Sequence, residues 1–313
     1  MVGIPRIAVI GSANTDLITF ADTFPRPGET VFGRRFELGF GGKGANQAIA
    51  ARQLGAQVLM LAKVGNDLFG EATLKNFASY GVDTRRVQLV EGCSTGVAPI
   101  FVEPNGQNRI IVVKGANDLV SPADVDAAAS ELRQVDTMIL QFEIPLETVY
   151  HAVRFARAHG IRCIVNPAPA LPADLSELAQ ADYLIPNETE AEILAEHPVH
   201  TLEAAQACAS ALCARGFRKV LITLGSRGSL LGDSSGCVHV PPFSVTAVDT
   251  TGAGDAFIGS LAVFLAEGVP EQEAIARANL YAALSTTRVG AQKSFPTRME
   301  FEAEWGRRGA PVS

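Results

Sequence analysis

From residue 137 to residue 224 the chain repeats one pattern: a short apolar run, a turn, then a segment of helical length. The apolar runs span 137–142, 161–165, 183–185 and 219–224. Helices are expected at 146–159, closed by Gly160, and at 203–215, with another opening at Pro186-Asn187-Glu188-Thr189-Glu190. Strands that alternate with helices pair in parallel through right-handed crossovers. An unbroken apolar run marks a strand covered on both faces, as a parallel sheet requires. Residues 6–11 (R-I-A-V-I-G) and 57–64 read the same way, so an α/β fold around a mostly parallel sheet is expected. A chain of 313 residues is long enough for one large α/β domain or for a domain with an insert.

Two stretches break the pattern. Residues 17–38 hold Pro25, Pro27 and Gly28 between short alternating pieces, with no helical period. Residues 97–102 and 109–113 flank Pro104-Asn105-Gly106, a strong hairpin signal. These pieces are expected to pair as a small antiparallel excursion from the main sheet, a β-sheet lid. The expected division is 1–16, 39–92 and 115–313 for the α/β domain, and 17–38 with 93–114 for the lid. Further helices are expected at 45–54, 70–80, 256–266 and 271–286, and the last residues, 309–313, are expected to fray.

Composition narrows the function classes. A net charge of −7 disfavours nucleic acid as a partner, since that needs a basic face. It also means that any phosphate site must be built locally, from amides and one or two cations. The five cysteines (Cys93, Cys163, Cys208, Cys213, Cys237) are scattered with no C-x-x-C pair, so neither zinc nor a disulfide framework is indicated. Reduced, buried thiols in a cytoplasmic protein are the expectation. Residues 7–10 are too short for a secretory core, and the apolar run at 256–266 falls well short of the roughly 20 residues of a membrane span. No histidine stands with a serine and an aspartate in a triad-like order, so acyl transfer is unsupported. All five histidines are read as structural, and Trp305 as packing.

Two glycine-rich junctions carry the chemistry. In Val248-Asp249-Thr250-Thr251-Gly252-Ala253-Gly254-Asp255 an apolar run, 245–248, enters and a long apolar helix leaves. Free amides at a helix start attract anions. Asp255 there has two readings: a helix cap, or a base that takes the proton from an attacking hydroxyl. The second junction is Gly39-Phe40-Gly41-Gly42-Lys43-Gly44-Ala45-Asn46-Gln47. It is not a Walker A loop, because Glu37 stands where the first glycine belongs and no Ser or Thr follows Lys43. Its glycines either let backbone approach a compact polar ligand, with Asn46 as donor and acceptor, or serve helix–sheet packing. Polar or glycine residues also follow strand after strand: Asn14 and Asp16, Glu143, Asn166, Asn187 and Glu190, and the run Gly225, Ser226, Arg227, Gly228. In a parallel sheet all these ends lie along one edge. Taken alone, Asn14 and Asp16 also suit an Asx turn.

With these runs in view, the chain resembles the ribokinase family of carbohydrate kinases over nearly its whole length. The resemblance rests on Ser12-Ala13-Asn14-Thr15-Asp16, Gly41-Gly42-Lys43-Gly44-Ala45-Asn46, Asn166-Pro167-Ala168-Pro169-Ala170, Asn187-Glu188-Thr189-Glu190, Thr223-Leu224-Gly225-Ser226-Arg227-Gly228 and Asp249-Thr250-Thr251-Gly252-Ala253-Gly254-Asp255, in that order. It implies a three-layer αβα ribokinase-like domain with a lid, and ATP-dependent phosphorylation of D-ribose at O5. It implies a catalytic base at Asp255 and an anion hole from the amides of Gly252, Ala253, Gly254 and Asp255. Sugar-binding positions fall on Asn14, Asp16, Gly42, Lys43, Asn46 and Glu143. Nucleotide positions fall on Asn187, Thr223, Leu224, Gly225, Ser226, Arg227, Gly228, Gly254 and Asn279. Asn187 and Glu190 match a motif tied to Mg2+, and Asp249, Thr251, Ser285, Arg288, Gly290 and Ser294 match a K+ site. Two lids packed together as a homodimer are also implied. The rivals are a deoxyribokinase or another small-sugar or nucleoside kinase, and a non-catalytic sugar- or nucleotide-binding regulator. A dinucleotide oxidoreductase is disfavoured, because no G-x-G-x-x-G follows the first strand.

Overall fold

The computed structural model describes residues 3–104 and 107–309. Its strands are β1 (Arg6–Ile10), β2 (Asn14–Ala21), β3 (Gly33–Gly41), β4 (Gln57–Gly65), β5 (Asp83–Val90), β6 (Gly96–Val102), β7 (Asn108–Ile110), β8 (Thr137–Gln141), β9 (Arg162–Asn166), β10 (Tyr183–Leu184), β11 (Val220–Thr223), β12 (Ser229–Asp233) and β13 (Gly236–Val240). Nine of them form one sheet in the order β13-β12-β11-β10-β9-β8-β1-β4-β5. Pairing is parallel throughout except for the antiparallel β11–β12 and β12–β13 pairs at one edge. Alternate residues of the central strands feed separate cores on the two faces. Ile7 and Val9 pack with Ile49, Phe264 and Tyr281, while Ala8 and Ile10 pack with Leu140, Val153 and Leu212. Helices therefore cover both faces, and the three layers follow.

The expected central strands and the helices Leu146–His159 and Glu271–Ser285 stand where the apolar pattern put them. The pattern is silent on β5 and on the β12–β13 hairpin. β5 and β13 are the edge strands, half exposed along their length, so they lack the unbroken apolar run used to find buried strands, while β12 is buried but its apolar run is only Leu230-Leu231 before Gly232. Helix Arg298–Arg308 is also new. It turns Phe301 into the core, with Trp305 packed against Phe301 and Phe243. The run 245–248 is not a strand, and Val248 is largely exposed. Of the thiols, Cys163 and Cys208 are buried, but Cys93, Cys213 and Cys237 are only half-buried; all are free. His239 lies on the edge strand β13.

The remaining strands make a four-stranded sheet in the order β3-β2-β6-β7. It is not wholly antiparallel: β2 and β6 run parallel, because the chain passes through the large sheet between them. Its strands also start nearer the core than residue 17. β2 begins at Asn14, three residues after β1 has ended, and β3 runs on to Gly41. The small sheet thus grows directly out of the carboxyl end of β1. Of the Pro104-Asn105-Gly106 turn, Asn105 and Gly106 lie outside the described residues, as do residues 310–313 of the segment expected to fray. No helix among the described residues is long and apolar enough to cross a membrane.

Candidate active site

The chain leaves β1 and returns as β4 on one side, while β8 occupies the other. Such a reversal opens a crevice at the carboxyl ends of the strands. Helix Lys43–Gln53 starts in that crevice, and two glycines let it do so. Gly42 has φ +88°, where a side chain would be strained, and a Cβ there would stand 2.8 Å from Asn14 N. A Cβ on Gly44 would stand 2.6 Å from Ser12 N, so only glycine lets the helix abut the end of β1. The glycines thus serve the close packing of this helix against the end of β1. Lys43 N donates to Glu143 Oε2 at 2.9 Å, and Ser12 Oγ donates to the same oxygen.

Asn14 and Asp16 sit at the root of β2. Asn14 is buried, and its Oδ1 accepts from Asn117 Nδ2 at 2.7 Å. Asn117 also accepts from Ala13 N at 2.9 Å, so it fixes the backbone that carries Asn14. No turn bonds of the Asx kind form at either residue; both lie in a strand. Asp16 leans over Gly41, where a Cβ would stand 2.5 Å from Asp16 Oδ2. Among the described residues nothing donates to its carboxylate. Burial, with help from the neighbouring Glu143, pushes its pKa up to about 6.

Asp255 lies in the first turn of helix Ala253–Ala266, yet it does not cap it. The N-cap is Gly252, at φ +77°, and no side chain caps that end. The carboxylate turns inward instead, with the residue only 7% exposed. Oδ2 accepts from Asn46 Nδ2 at 2.8 Å and Oδ1 from Gln47 Nε2 at 2.9 Å. The meeting depends on close helix packing. On the Ala-rich helix Lys43–Gln53, Gln47 O would lie 2.5 Å from a Cβ at Gly259, so a side chain at 259 would push the two helices apart. A Cβ on Gly254 would meet nothing within 4 Å, so space lies open in front of the helix start. At that end Ala253 N donates to Thr250 O at 3.2 Å, while the N–H groups of Gly254 and Asp255 lie in the first turn, at the positive end of the dipole.

One cation gathers the acidic groups. Burial pulls the Lys43 ammonium down, but the carboxylates of Asp255, Glu143 and Glu190 together hold it above its ordinary value. Burial also raises Asp255, against the pull of Lys43, Asn46 and Gln47, and Glu143 raises it further. Glu190 is raised by burial against its bond to Asn187 N and against Lys43. Residues from four separate stretches of the sequence thus form one electrostatic unit.

The other residues lie along the same edge. Asn187 and Glu190 form a capping box on helix Glu188–Ala195, with reciprocal bonds of 2.8 Å. Thr223 bridges Asn187, and the turn after it holds Gly225 at φ +55° and Gly228 at φ +86°. Leu224 is buried, while Gly225 and Ser226 are exposed. Arg227 folds back onto Glu188 and the carbonyl of His200. Asn279 is committed to the carbonyls of Val240 and Pro241, both at 3.2 Å. Asp249 accepts from Thr251 N, Thr251 Oγ1 and Gly290 N, at 2.9, 2.6 and 2.8 Å. Burial raises Asp249, but those donors outweigh it and leave it below the usual range. Asp249 thereby ties the glycine junction to the segment after helix Glu271–Ser285. There the hydroxyls of Ser285 and Ser294 bond their own turns, and Arg288 pairs with Glu300. No cluster of three or more metal-ligating side chains exists among the described residues.

Residues 5–298 match the model of the pfkB family carbohydrate kinases. The chain belongs to the pfkB family. Among pfkB relatives, a deoxyribokinase of Salmonella typhi is 47% identical over 296 residues, spanning 94% of this chain and 97% of that one. A ribokinase of Bacillus subtilis is 45% identical over 297 residues, spanning 95% and 98%. The structure of an Arabidopsis thaliana ribokinase complexed with ribose and ATP superposes with a TM-score of 0.90 at 30% identity, covering 96% of this chain and 98% of that one. A Thermotoga maritima ribokinase gives 0.88 at 35% identity, covering 96% and 99%. The protein is therefore a phosphotransferase, a sugar kinase of the ribokinase type with the ribokinase-like α/β fold.

Sequence reasoning for this pfkB chain missed Asn117, Gln141 and Gln292, and gave no role to Ser12 and Gln47 within their motifs, although all five hold the site together. Gln141 leaves a signal, since it is the one amide in an apolar strand, and Gln47 stands beside Asn46 at the start of an alanine-rich helix. Asn117 and Gln292 sit in short 3-10 turns with nothing to mark them.

Proposed function

We propose that the protein transfers the γ-phosphoryl group of ATP to O5 of D-ribose, giving D-ribose 5-phosphate and ADP, with Asp255 as the general base. The observation that carries this reading is the inward-turned Asp255 carboxylate. It caps nothing, it sits beside the open start of a helix, and amide donors support its ionised form. Each carboxylate oxygen has two lone pairs, so the bonds from Asn46 and Gln47 leave room for a sugar hydroxyl. As O5 attacks, its proton passes to Asp255, the new O–P bond forms, and the bond from the γ-phosphorus to the bridging oxygen of ADP breaks. The amides of Gly252, Ala253, Gly254 and Asp255 stabilise the charge on the transferring group. Asn14, Asp16, Gly42, Lys43, Asn46 and Glu143 bind the sugar from the root of the small sheet, which serves as a lid and keeps water from competing.

The nucleotide lies against Asn187, the 223–228 turn, Gly254 and the region of Asn279. Mg2+ bound to its phosphates supplies charge neutralisation. Glu190 fits a place near that ion because it is an acidic side chain with one oxygen uncommitted. The Asp249, Thr251, Ser285, Arg288, Gly290 and Ser294 segments suit K+, a large cation content with backbone oxygens and a single carboxylate. We further propose a homodimer through the lids.

A second reading, a deoxyribokinase, is favoured by the 47% identity to that relative. A panel of sugars with ATP, read by ADP release, separates the two. A site that bonds the 2-hydroxyl rejects the analogue lacking it, so ribose should exceed 2-deoxyribose in kcat/KM. Equal or reversed preference would overturn ribose and keep the kinase.

A further inference from the structure

Each amide that touches Asp255 is itself held from behind by another amide. Asn46 gives Nδ2 to Asp255 and accepts at Oδ1 from Gln292 Nε2 at 2.9 Å. Gln292 in turn accepts at Oε1 from Asn76 Nδ2 at 2.8 Å. On the other side, Gln47 gives Nε2 to Asp255 and to Asn166 Oδ1, and accepts at Oε1 from Gln141 Nε2 at 2.7 Å. A primary amide can turn either its N–H or its oxygen toward a carboxylate, and the two faces act with opposite sign. Its other partners decide which: the donor behind each amide and, for Gln47, also Asn166 Oδ1, itself fixed because Asn166 Nδ2 donates to Ile185 O at 3.0 Å. Both chains, Asn76 to Gln292 to Asn46 and Gln141 to Gln47, run in the same sense, with N–H groups directed at Asp255. Gln47, Gln141 and Gln292 are buried, so water does not compete for these bonds.

We propose that Asn76, Gln292 and Gln141 are positioning residues for phosphoryl transfer: they fix the orientation of Asn46 and Gln47 so that both present N–H to Asp255 and hold it as a proton acceptor for the sugar hydroxyl. The proposal rests on Asp255 being the base. A reversed amide would put oxygen against carboxylate, turn the side chain away, and favour its protonated form. The charged groups around Asp255 do not set this orientation. Lys43, Glu143 and Glu190 act on it through charge alone.

The far end of the longer chain gives a test. Asn76 is only half-buried, so a charge there is tolerated. In Asn76→Asp the residue can no longer donate. Gln292 then turns its N–H toward position 76 and its oxygen toward Asn46, and Asn46 reverses in turn. Asn76→Ala removes the anchor without forcing a reversal. The near-isosteric change should therefore do more harm than deletion. We expect kcat of Asn76→Asp to fall about tenfold below that of Asn76→Ala, with the KM for ATP and the melting temperature alike in both. In a Gln292→Met background the chain is cut, and the two Asn76 variants should become equal. A purely structural role, or the added charge acting through space, predicts otherwise. Equal kcat for the single variants, or a deficit that persists in the Gln292→Met background, overturns the proposal. Asp255→Asn is measured alongside. If it keeps near-normal turnover, the base reading fails; if it is inactive while the Asn76 variants match, only the amide chains fail.

Discussion

Asp255 shows how much a single residue's role depends on what stands behind it. Its identity was legible from the glycine junction, but the choice between cap and base was not, because both place a carboxylate in the first turn of a helix. The inward turn removes the cap reading and supports the proposed base, and it changes what Asp255→Asn should do. Turnover should fall by roughly 10²–10⁴-fold, the usual loss for a general base. Stability should fall too, since an Asn amide must put N–H against the donor of Asn46 or Gln47, and a mismatched buried group costs about 1–3 kcal/mol. Turnover and a denaturant melt on the same variant check both. Asp16 gives a pH dependence. Its folded pKa of about 6 lies above the ordinary 3.8, so between those values the folded state binds more protons than the unfolded one. The stability it contributes is thus present at low pH and lost as pH rises through that window. With Asp16 in its proposed sugar-binding role, binding should run the other way, because a protonated carboxyl accepts fewer hydroxyls. The KM for ribose should rise as pH falls from 7 to 5, and Asp16→Asn should flatten that rise; a rise that survives the substitution assigns it to another group.

Elements made of buried apolar runs were legible, and edge elements were not. β1, β4, β8, β9 and β11 show in the sequence because both their faces are covered. β5 and β13 do not, because water on one side allows polar residues that dilute the pattern. The same logic explains the site. Strand ends and glycine junctions announce where a crevice must be, but the amides that organise it come from unrelated segments and carry no local mark. The Asn187 and Glu190 pair does carry a local mark, but its spacing also fits a capping box, and the helix uses it as one. Two glycines of helix Ala253–Ala266 separate folding from chemistry. Gly252→Ala must adopt φ +77° and bring a Cβ within 2.8 Å of Ala291 Cβ, a strain of order 1–3 kcal/mol. It should lower both stability and turnover. Gly254→Ala points its methyl into open space, so its melting temperature should hold while turnover drops, because the methyl occupies the room in front of the helix. Equal activity in Gly254→Ala and the parent would show that nothing passes through that space.

At the scale of the whole molecule, the small sheet is too thin to bury two apolar faces. Phe32 is 95% exposed and Phe36 59% exposed, with Ile110 and Ile111 also open, a surface that suits a second copy. Light scattering at micromolar concentration should give twice the chain mass, and Phe36→Asp should reduce it to one; a monomeric parent would remove the dimer. Exchange of sodium for potassium at constant ionic strength should raise turnover through the 249–251 and 285–294 segments, and equal rates would dismiss that cation. The α/β class and the crevice were legible at this scale, because alternation of strands and helices leaves few other arrangements. The partners across the crevice were not, because they lie far apart along the chain. Asn46 meets Asp255 across 209 positions and Gln292 across 246. During synthesis, then, residues that would hold a sugar leave the ribosome long before Asp255, and Asp255 before Gln292, whose amide meets Asn46. A nascent chain stays catalytically silent until almost all of it has emerged, so activity during translation would time the closing of the fold's last long-range contact.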